Sequence, residues 1–327
     1  MRILVTGGAG YIGSVTARTL LDAGHEVVVL DDLRSGHRAA VPEGAAFELG
    51  DVADRRLVAD VFDRHRVGAV VHFAASSLVG ESMERPHAYF ANNAVASLRL
   101  LEAAHAAGVD RFVLSSTAAV YGTPDRVPIP ESAEVRPESV YGASKAMTEQ
   151  ALDWLATTAG LGWCALRYFN AAGATERHGE DHRPETHLIP LVLEVAEGRR
   201  EKIRIFGDDW PTPDGTPVRD YVHVQDLADA HVRAVEAIRP GTGAAYNVGT
   251  GRGASVQEVV DACRAATGRN VPTEVAPRRA GDPAELVADP SRIGAELDWT
   301  PRRSELREIV ESAWAWRRAH PDGYPPA

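Results

Sequence analysis

The 327-residue sequence predicts a doubly wound α/β fold, in which helices cover both faces of a parallel sheet, followed by a smaller C-terminal α/β lobe. Continuous apolar runs without polar alternation are typical of parallel strands that are buried on both faces. Helix-length segments rich in alanine and leucine separate these runs, and this repetition favours right-handed crossovers within one sheet. A glycine-rich turn directly after the first run is the third indication.

The predicted strands and helices follow one another from the N-terminus. Residues 3–5 form the first strand, and the apolar positions Ile12, Val15 and Leu20 mark a helix that we expect to end at Gly24. Further strands are expected at 26–32, 69–73, 111–116 and 164–170, with helical segments such as 92–108 between them. This order predicts a single parallel sheet.

The composition disfavours several classes of function. Hydrophobic residues make up 44% of the chain and charged residues 25%, as in globular proteins with a buried core. The net charge of -11 disfavours nucleic acid as the main partner, because a phosphate backbone binds to a basic surface. No apolar stretch has the length of a membrane span, the N-terminus lacks a signal-peptide pattern, and the only cysteines are Cys164 and Cys263. We therefore expect a cytoplasmic protein that binds neither nucleic acid nor membrane.

Three glycines lie between the first predicted strand and the first predicted helix. Gly7, Gly10 and Gly13 have the spacing G-x-x-G-x-x-G, which permits a tight turn and a close approach of the backbone to a pyrophosphate. The N-terminus of the helix would direct free N–H groups at such an anion. A glycine triplet alone is weak evidence, but the required strand precedes this one and the required helix follows it.

An acidic residue ends the second predicted strand. Asp31 lies 18 positions beyond Gly13, where a carboxylate accepts hydrogen bonds from the adenosine ribose and repels a 2′-phosphate. The alternative, that Asp31 and Asp32 belong to a solvated loop, leaves the register of turn, strand and acid unexplained. The sequence therefore predicts a Rossmann domain that binds NAD rather than NADP.

The local composition of the sequence changes after about residue 170. Residues 173–185 and 206–221 are polar and rich in proline and glycine, and long loops inside a compact chain are usually functional. We assign residues 1–170 to the NAD-binding domain, to which roughly 219–250 should return. The remainder of residues 171–327 is predicted to form the smaller lobe and to bind the substrate.

A tyrosine and a lysine lie four residues apart in the segment SVYGASKAMTEQ at 139–150. On a helix, Tyr141 and Lys145 would share one face. A lysine ammonium favours the phenolate form of a tyrosine, whose pKa is otherwise about 10, so the pair can act as an activated base. Thr117 ends a predicted strand, and we expect it to bind the same substrate hydroxyl. The alternative is a chance pair, since this spacing is common.

The glycine pattern, the acidic strand end and the Thr…Tyr-x-x-x-Lys arrangement together resemble the extended short-chain dehydrogenase/reductase family. Within this family, segments that run in order along almost the whole chain resemble the UDP-glucose 4-epimerase branch. These segments are HFAASSLVGES, NN at 92–93, SSTAAVYG, LRYFNAAGA, PETHLIP, IFGDDWPTPDGTPVRDYVHV, DLADAH and APRRAGDP. The resemblance implies tightly held NAD and 4-epimerisation of a UDP-hexose through a transient 4-keto sugar. It also implies a homodimer.

The resemblance assigns residues to three roles. Tyr141 would be the catalytic base and acid, with Lys145 and Thr117 beside it. The cofactor would be bound by residues of the glycine turn, of the strand ends and of the helix that carries Tyr141. They are Gly7, Gly10, Tyr11, Ile12, Gly13, Asp31, Asp32, Ser35, Gly36, Asp51, Val52, Phe73, Ala74, Ala75, Ser77, Asn92, Ser115, Tyr141, Lys145 and Phe169. The substrate would be bound by Thr117, Tyr141, Asn170, His187, Leu188, Arg204, Ile205, Phe206, Arg219, Arg279, Asp282 and Leu286. Among these, Arg219 and Arg279 would hold the diphosphate, because a guanidinium meets phosphate oxygens in pairs.

Other activities stay open to different degrees. A dehydratase needs proton-transferring groups directly after the Ser/Thr, and Ala118 and Ala119 cannot supply them. A UDP-glucuronate 4-epimerase needs a cation for the sugar carboxylate, and Arg204 is a candidate, although an exposed strand-edge arginine is the simpler interpretation. Leu286 stands where some family members have tyrosine, which would leave room for the 2-acetamido group of UDP-N-acetylglucosamine. A non-catalytic nucleotide-binding regulator is the remote alternative.

Two details concern other ligands. Ser77 stands where many epimerases carry a lysine near the cofactor phosphates, so NAD retention is expected to depend on other contacts. His178, His182 and His187 match no helix face and no known zinc pattern, and cysteine ligands are absent from this segment. We therefore predict no metal site.

Overall fold

The computed structural model describes residues 1–279 and 281–325. Seven strands form the main sheet: β1 (Arg2–Thr6), β2 (Glu26–Asp31), β3 (Ala46–Leu49), β4 (Ala69–His72), β5 (Arg111–Thr117), β6 (Gly162–Tyr168) and β10 (Gly243–Val248). All neighbours are parallel, in the spatial order β10-β6-β5-β4-β1-β2-β3. The predicted doubly wound α/β fold is confirmed.

Alternate residues of each strand face opposite layers of helices. Ile3 and Val5 share a core with α1 (Tyr11–Asp22) and α8 (Val224–Ala237) on one face of the sheet. Leu4, between them, belongs to a second core with α2 (Arg55–His65), α5 (Ala96–Ala106) and α6 (Val140–Ala159) on the other face. Because the strands are buried on both faces, their sequences show no polar alternation.

Short helical segments connect β4 to α5. They are α3 (Val79–Glu84), α4 (Pro86–Tyr89) and a π-helical stretch at Phe90–Val95, so the helix predicted over 92–108 begins as a π-helix and ends at Ala106. Two 3₁₀ turns lie at Arg38–Ala40 and Ala118–Val120. A π-helix widens the turn by one residue, and such stretches often occur at functional sites.

The C-terminal part of the chain contributes smaller sheets. One contains β7 (Asn170–Ala172), β9 (Val218–His223), β11 (Gly253–Ser255) and β13 (Glu285–Leu286), and another pairs β8 (Ile203–Phe206) with β12 (Thr273–Ala276). The apolar faces of α7 (Leu188–Ala196), α9 (Val256–Thr267) and α11 (Leu306–Ala319) form a third core with β7 and β9. Helix α10 (Ser291–Leu297) packs beside the main sheet.

Two predicted boundaries need correction. The segment that returns to the main sheet begins at α8 and not near residue 219, because β9 lies in the smaller sheet between β7, β11 and β13. The strand predicted at 164–170 is two strands, since β6 ends at Tyr168 and β7 begins at Asn170. Within the described residues, no helix combines the length and apolar character needed to cross a bilayer.

Candidate active site

A cavity of about 930 Å³ lies along the carboxyl edge of the main sheet and extends to the N-terminus of α7. In a doubly wound sheet this edge is where ligands bind. All the residues predicted to bind the cofactor line this cavity: Gly7, Gly10, Tyr11, Ile12, Gly13, Asp31, Asp32, Ser35, Gly36, Asp51, Val52, Phe73, Ala74, Ala75, Ser77, Asn92, Ser115, Tyr141, Lys145 and Phe169.

The turn after β1 has room only for glycine at two positions. Gly7 has a φ of +71°, and a Cβ there would lie 2.6 Å from the backbone nitrogen of Ala74. A Cβ on Gly13 would lie 2.2 Å from the carbonyl oxygen of Gly7. Gly10 begins α1 without a side-chain cap, so the first N–H groups of the helix are left for another acceptor. The turn therefore fits a pyrophosphate.

Asp31 at the end of β2 is buried and already engaged by the turn. Its Oδ2 accepts a hydrogen bond from the backbone of Ala9 (2.9 Å), and its Oδ1 accepts one from Leu33 (2.8 Å). Burial raises its pKa, and these two hydrogen bonds oppose that effect. The carboxylate thus braces the glycine turn and retains further lone pairs for a ribose. The bracing role was missed by the sequence reasoning.

Arg34 is a second feature that the sequence reasoning missed. Its guanidinium donates to Asp32 Oδ2 (2.6 Å), Asp51 Oδ2 (3.0 Å) and Asn92 Oδ1 (3.2 Å), and it lines the cavity with them. The only sequence signal was a basic residue between Asp32 and Ser35. Arg34 thus joins the loop after β2 to two other cavity-lining segments.

The predicted catalytic groups Thr117, Tyr141 and Lys145 line the same cavity. Ser139 caps the N-terminus of α6, and its hydroxyl accepts a hydrogen bond from the Gly142 backbone (3.1 Å), so both Tyr141 and Lys145 lie in the first two turns of the helix. Burial raises the pKa of Tyr141 to about 12, and a hydrogen bond with Thr117 opposes this. Lys145 is 3% exposed, and burial lowers the pKa of its ammonium to about 8, while the carboxylate of Glu149 opposes this.

The effect of the Lys145 charge on the phenol stays a prediction. The largest influence on the pKa of Tyr141 is burial, which raises it, and the hydrogen bond with Thr117 opposes this. Two further groups below the site were not predicted. Glu149 accepts hydrogen bonds from Arg167 (3.1 and 3.2 Å) and from the hydroxyl of Ser116. His72 is buried, and burial with the Lys145 charge lowers its pKa to about 3, so it stays neutral.

The predicted substrate residues form two groups. Thr117, Tyr141, Asn170, His187 and Leu188 line the cavity. The other seven, Arg204, Ile205, Phe206, Arg219, Arg279, Asp282 and Leu286, do not line it. Strands β8, β9 and β13 place five of them in the smaller sheets, and Arg279 and Asp282 lie in the segment between β12 and β13.

Contacts within the second group define what each side chain can do. Arg219 pairs with Asp282 (2.9 Å), and the guanidinium of Arg279 lies 3.9 Å from the centre of the Phe206 ring. The side chain of Arg204 is 67% exposed and lies 3.6 Å from Glu274, which agrees with the interpretation of Arg204 as an exposed strand arginine. The Ile205 side chain is buried, so only its backbone can meet a ligand. Leu286 packs against the same apolar cluster as Phe169, and Phe169 lines the cavity.

The loop between β7 and α7 brings together side chains that the sequence reasoning treated separately. Glu180, His182, Glu185 and His187 each offer one potential ligand atom, and these atoms lie within 4.8 Å of one another. The prediction of no metal site compared histidines and cysteines only, and so overlooked the two glutamates. His178 is not part of the cluster.

Comparison with known proteins agrees with this geometry. Residues 3–249 match the profile of the NAD dependent epimerase/dehydratase family. The chain belongs to this family. The match confirms the predicted family and cofactor, and an epimerase/dehydratase fold accounts for the position of the cavity at the carboxyl edge of the sheet.

Individual relatives cover the whole length of this family member. It is 53% identical over 319 residues to the UDP-glucose 4-epimerase of Corynebacterium glutamicum, which covers 98% of this chain and 96% of the relative. A crystal structure of a UDP-glucose 4-epimerase superposes with a TM-score of 0.96 at 49% identity and covers 99% of this chain and 100% of that chain. The UDP-glucose 4-epimerase from Brucella ovis in complex with NAD gives 0.92 at 44% identity, with coverage of 96% and 97%.

Proposed function

We propose that this protein interconverts UDP-glucose and UDP-galactose by NAD-dependent 4-epimerisation through a transient 4-keto sugar. One observation carries the proposal: Thr117, Tyr141 and Lys145 line the same cavity as the glycine turn and Asp31. A dinucleotide bound to that turn would therefore share the cavity with a proton-transferring tyrosine. The similarity to UDP-glucose 4-epimerases over nearly the full chain supports the same reaction.

NAD, when bound, supplies a reversible acceptor for the hydrogen at the sugar C4. The N-terminus of α1 would hold its pyrophosphate, and Asp31 would accept hydrogen bonds from the adenosine ribose. Arg34 adds a clamp on the adenosine side, because it already joins Asp32 to Asp51 across the cavity wall. Ser77 lines the cavity but has no positive charge, so Arg34 and the glycine turn would keep NAD bound.

The proton at the sugar 4-hydroxyl would be taken and returned by Tyr141. Thr117 hydrogen-bonds with that phenol and would position the sugar hydroxyl beside it. A phenol with a pKa of about 12 is protonated at neutral pH, so transfer requires positive charge close to its oxygen. Lys145, one turn further along α6, would supply part of that charge and bind the nicotinamide ribose.

The UDP-sugar would extend from Tyr141 past Asn170 and Leu188 toward the smaller lobe. Arg219 and Arg279 would hold the diphosphate after Arg219 exchanges part of its pairing with Asp282. Nothing in this arrangement favours a uronic acid, because Arg204 is exposed and paired with Glu274.

A second substrate has one supporting feature. Leu286 and the cavity-lining Phe169 both pack against one apolar cluster, which contains Tyr121, and a leucine at 286 occupies less volume than a tyrosine would. We therefore propose that the 2-acetamido group of UDP-N-acetylglucosamine is tolerated. No detectable turnover of this sugar under conditions that turn over UDP-glucose would refute this extension alone.

The test of the main proposal is a parallel assay with UDP-glucose, UDP-N-acetylglucosamine and UDP-glucuronate, with the products separated by chromatography. Tyr141→Phe should lose at least about 100-fold in rate, as expected for loss of a general acid–base group. Tyr246→Phe is the matched control, because that hydroxyl binds Glu296 (2.7 Å) away from the cavity. Full activity of Tyr141→Phe would contradict the proton-transfer role of this residue. Absence of any epimerised product from the wild type would contradict the proposal and favour a nucleotide-binding regulator.

We also propose that the protein forms a homodimer through α5 and α6. These neighbouring helices expose Leu98, Met147 and Trp154, and Trp154 is 65% exposed. Large apolar side chains exposed on neighbouring helices are consistent with a protein interface. Trp154→Glu should shift the mass in solution toward the monomer.

A cytoplasmic location is proposed because both cysteines are buried free thiols, which suits a reducing compartment.

A further inference from the structure

The loop between β7 and α7 contains two Glu-x-His units in the segment EDHRPETH at 180–187. The first unit supplies Glu180 and His182, and the second supplies Glu185 and His187. The four potential ligand atoms lie within 4.8 Å of one another, although the two units are five residues apart. The fold of the loop therefore brings both units to one point.

In this cluster one imidazole nitrogen lies close to two carboxylates at once. Glu180 Oε1 lies 3.1 Å from His182 Nδ1 and 2.7 Å from His187 Nδ1. The same His187 Nδ1 lies 2.9 Å from Glu185 Oε1. One Nδ1 carries at most one hydrogen, so it cannot donate a well-directed hydrogen bond to both carboxylates. A cation at the centre of the four groups would satisfy all of them at once.

The carboxylates of the cluster are buried and fixed in place. The side chains of Glu180 and Glu185 are 8% and 7% exposed. Glu185 Oε1 accepts hydrogen bonds from the backbone of Thr186 (2.7 Å) and of His187 (2.8 Å), which orient it toward the cluster. A metal site needs this kind of support around its ligands.

The nearby arginines form their ion pairs with other carboxylates. Arg317 donates to both oxygens of Glu197 (3.0 and 2.8 Å), and Arg183 lies 3.5 Å from Asp181. Among residues 1–279 and 281–325, the only cationic groups within ion-pair distance of Glu180 and Glu185 are the two histidines. Two buried carboxylates are thus paired directly only with imidazoles, which are also metal ligands.

We infer that Glu180, His182, Glu185 and His187 form a binding site for one divalent transition-metal ion of the zinc type. Bonds of about 2.0–2.2 Å to a tetrahedral ion place ligand atoms roughly 3.3–3.6 Å apart, so the close pairs need to separate by only a few tenths of an ångström to an ångström. The imidazoles favour zinc over magnesium or calcium, which prefer oxygen ligands.

Four protein ligands leave no open position, so the ion is structural and not catalytic. His187 precedes the first residue of α7, and Glu180, His182 and His187 line the cavity. The ion would therefore fasten the cavity wall to the start of α7. The site adds to the proposed function and does not depend on it.

The test uses the full-length protein with NAD, treated with a chelator and then titrated with ZnCl₂ in competition with a chromophoric zinc indicator. We expect one zinc ion per chain. His182→Gln and Glu185→Gln should each weaken binding by more than about 100-fold, since even changes outside the ligand shell cost 10–100-fold. His105→Gln, an exposed histidine on α5, is the matched control and should leave affinity unchanged.

Two measurements on the unaltered protein keep the test independent of how the variants fold. Zinc should raise the melting temperature by a few degrees, whereas the same concentration of MgCl₂ should not. Cobalt should give the intense visible bands of a tetrahedral site. The inference is overturned if wild type binds zinc no more tightly than His182→Gln, if magnesium stabilises equally, or if cobalt shows an octahedral spectrum.

Discussion

A single methyl group added at Gly13 should destabilise the glycine turn and weaken its binding of NAD. In Gly13→Ala the new Cβ would lie 2.2 Å from the carbonyl oxygen of Gly7 and 2.9 Å from the Cα of Gly8. This is roughly 1 Å closer than van der Waals contact permits. Because both neighbours are backbone atoms, the strand and the helix must move apart and no side chain can rotate away.

The cost follows from this geometry. Overpacking of a well-packed region typically costs 1–3 kcal/mol, and a clash with backbone on two sides belongs at about 3 kcal/mol. For a chain of this size that is roughly 4 °C in melting temperature. The displaced turn also moves the N–H groups at the start of α1, so NAD should be lost more readily from Gly13→Ala than from wild type.

The assay combines thermal unfolding with the NAD content of the purified protein. Gly80→Ala is the matched control, because a Cβ at this exposed position in α3 would meet nothing within 4 Å. That change should be neutral or stabilise by up to about 1 kcal/mol. If Gly13→Ala melts with wild type and retains NAD equally, close packing is not the reason for glycine at this position.

Three further predictions concern charges. The epimerisation rate should fall above pH 8, because Lys145 has a pKa of about 8 and is neutral above that pH. Lys145→Arg stays charged, so its pH–rate profile should lack this alkaline decline. Glu149→Gln should lower the free energy of unfolding in urea by about 3–5 kcal/mol by leaving Arg167 buried without its partner, whereas Arg307→Gln in an exposed pair should leave it almost unchanged. Asp31→Asn should weaken NAD binding at least tenfold relative to NADP in a binding titration, and an unchanged preference would refute the proposed ribose contact.

The parts of the fold that the sequence predicted are those with a local pattern. Strands β1, β2, β4 and β5 are continuous apolar runs, and buried parallel strands are recognisable from such runs. Strand β3 was missed because its residues are half exposed at the sheet edge. The two- and three-residue strands β7, β11 and β13 carry no periodicity, so their sheet could not be foreseen.

The site was predicted to the extent that it depends on short spacings. The glycine turn, Asp31 and the Tyr141–Lys145 pair are such spacings, and all of them line the cavity. Contacts that join distant segments were missed. Arg167 reaches Glu149 from a neighbouring strand, and Arg34 reaches Asn92 across 58 residues. Nothing in the local sequence distinguishes these arginines from surface arginines.

The same burial explains why the tyrosine needs help and how the protein provides it. Removal of water raises the pKa of Tyr141 and lowers that of Lys145, so each group alone favours its neutral form. In such a medium, however, added positive charge acts strongly on the phenol. The Glu149 carboxylate opposes the effect of burial on Lys145, and Arg167 and Ser116 hold that carboxylate in place. The buried ion pair therefore keeps the lysine charge available to the phenol, and a positively charged ring bound beside Tyr141 would add to it. Proton transfer should accordingly be efficient only while the cofactor is in place.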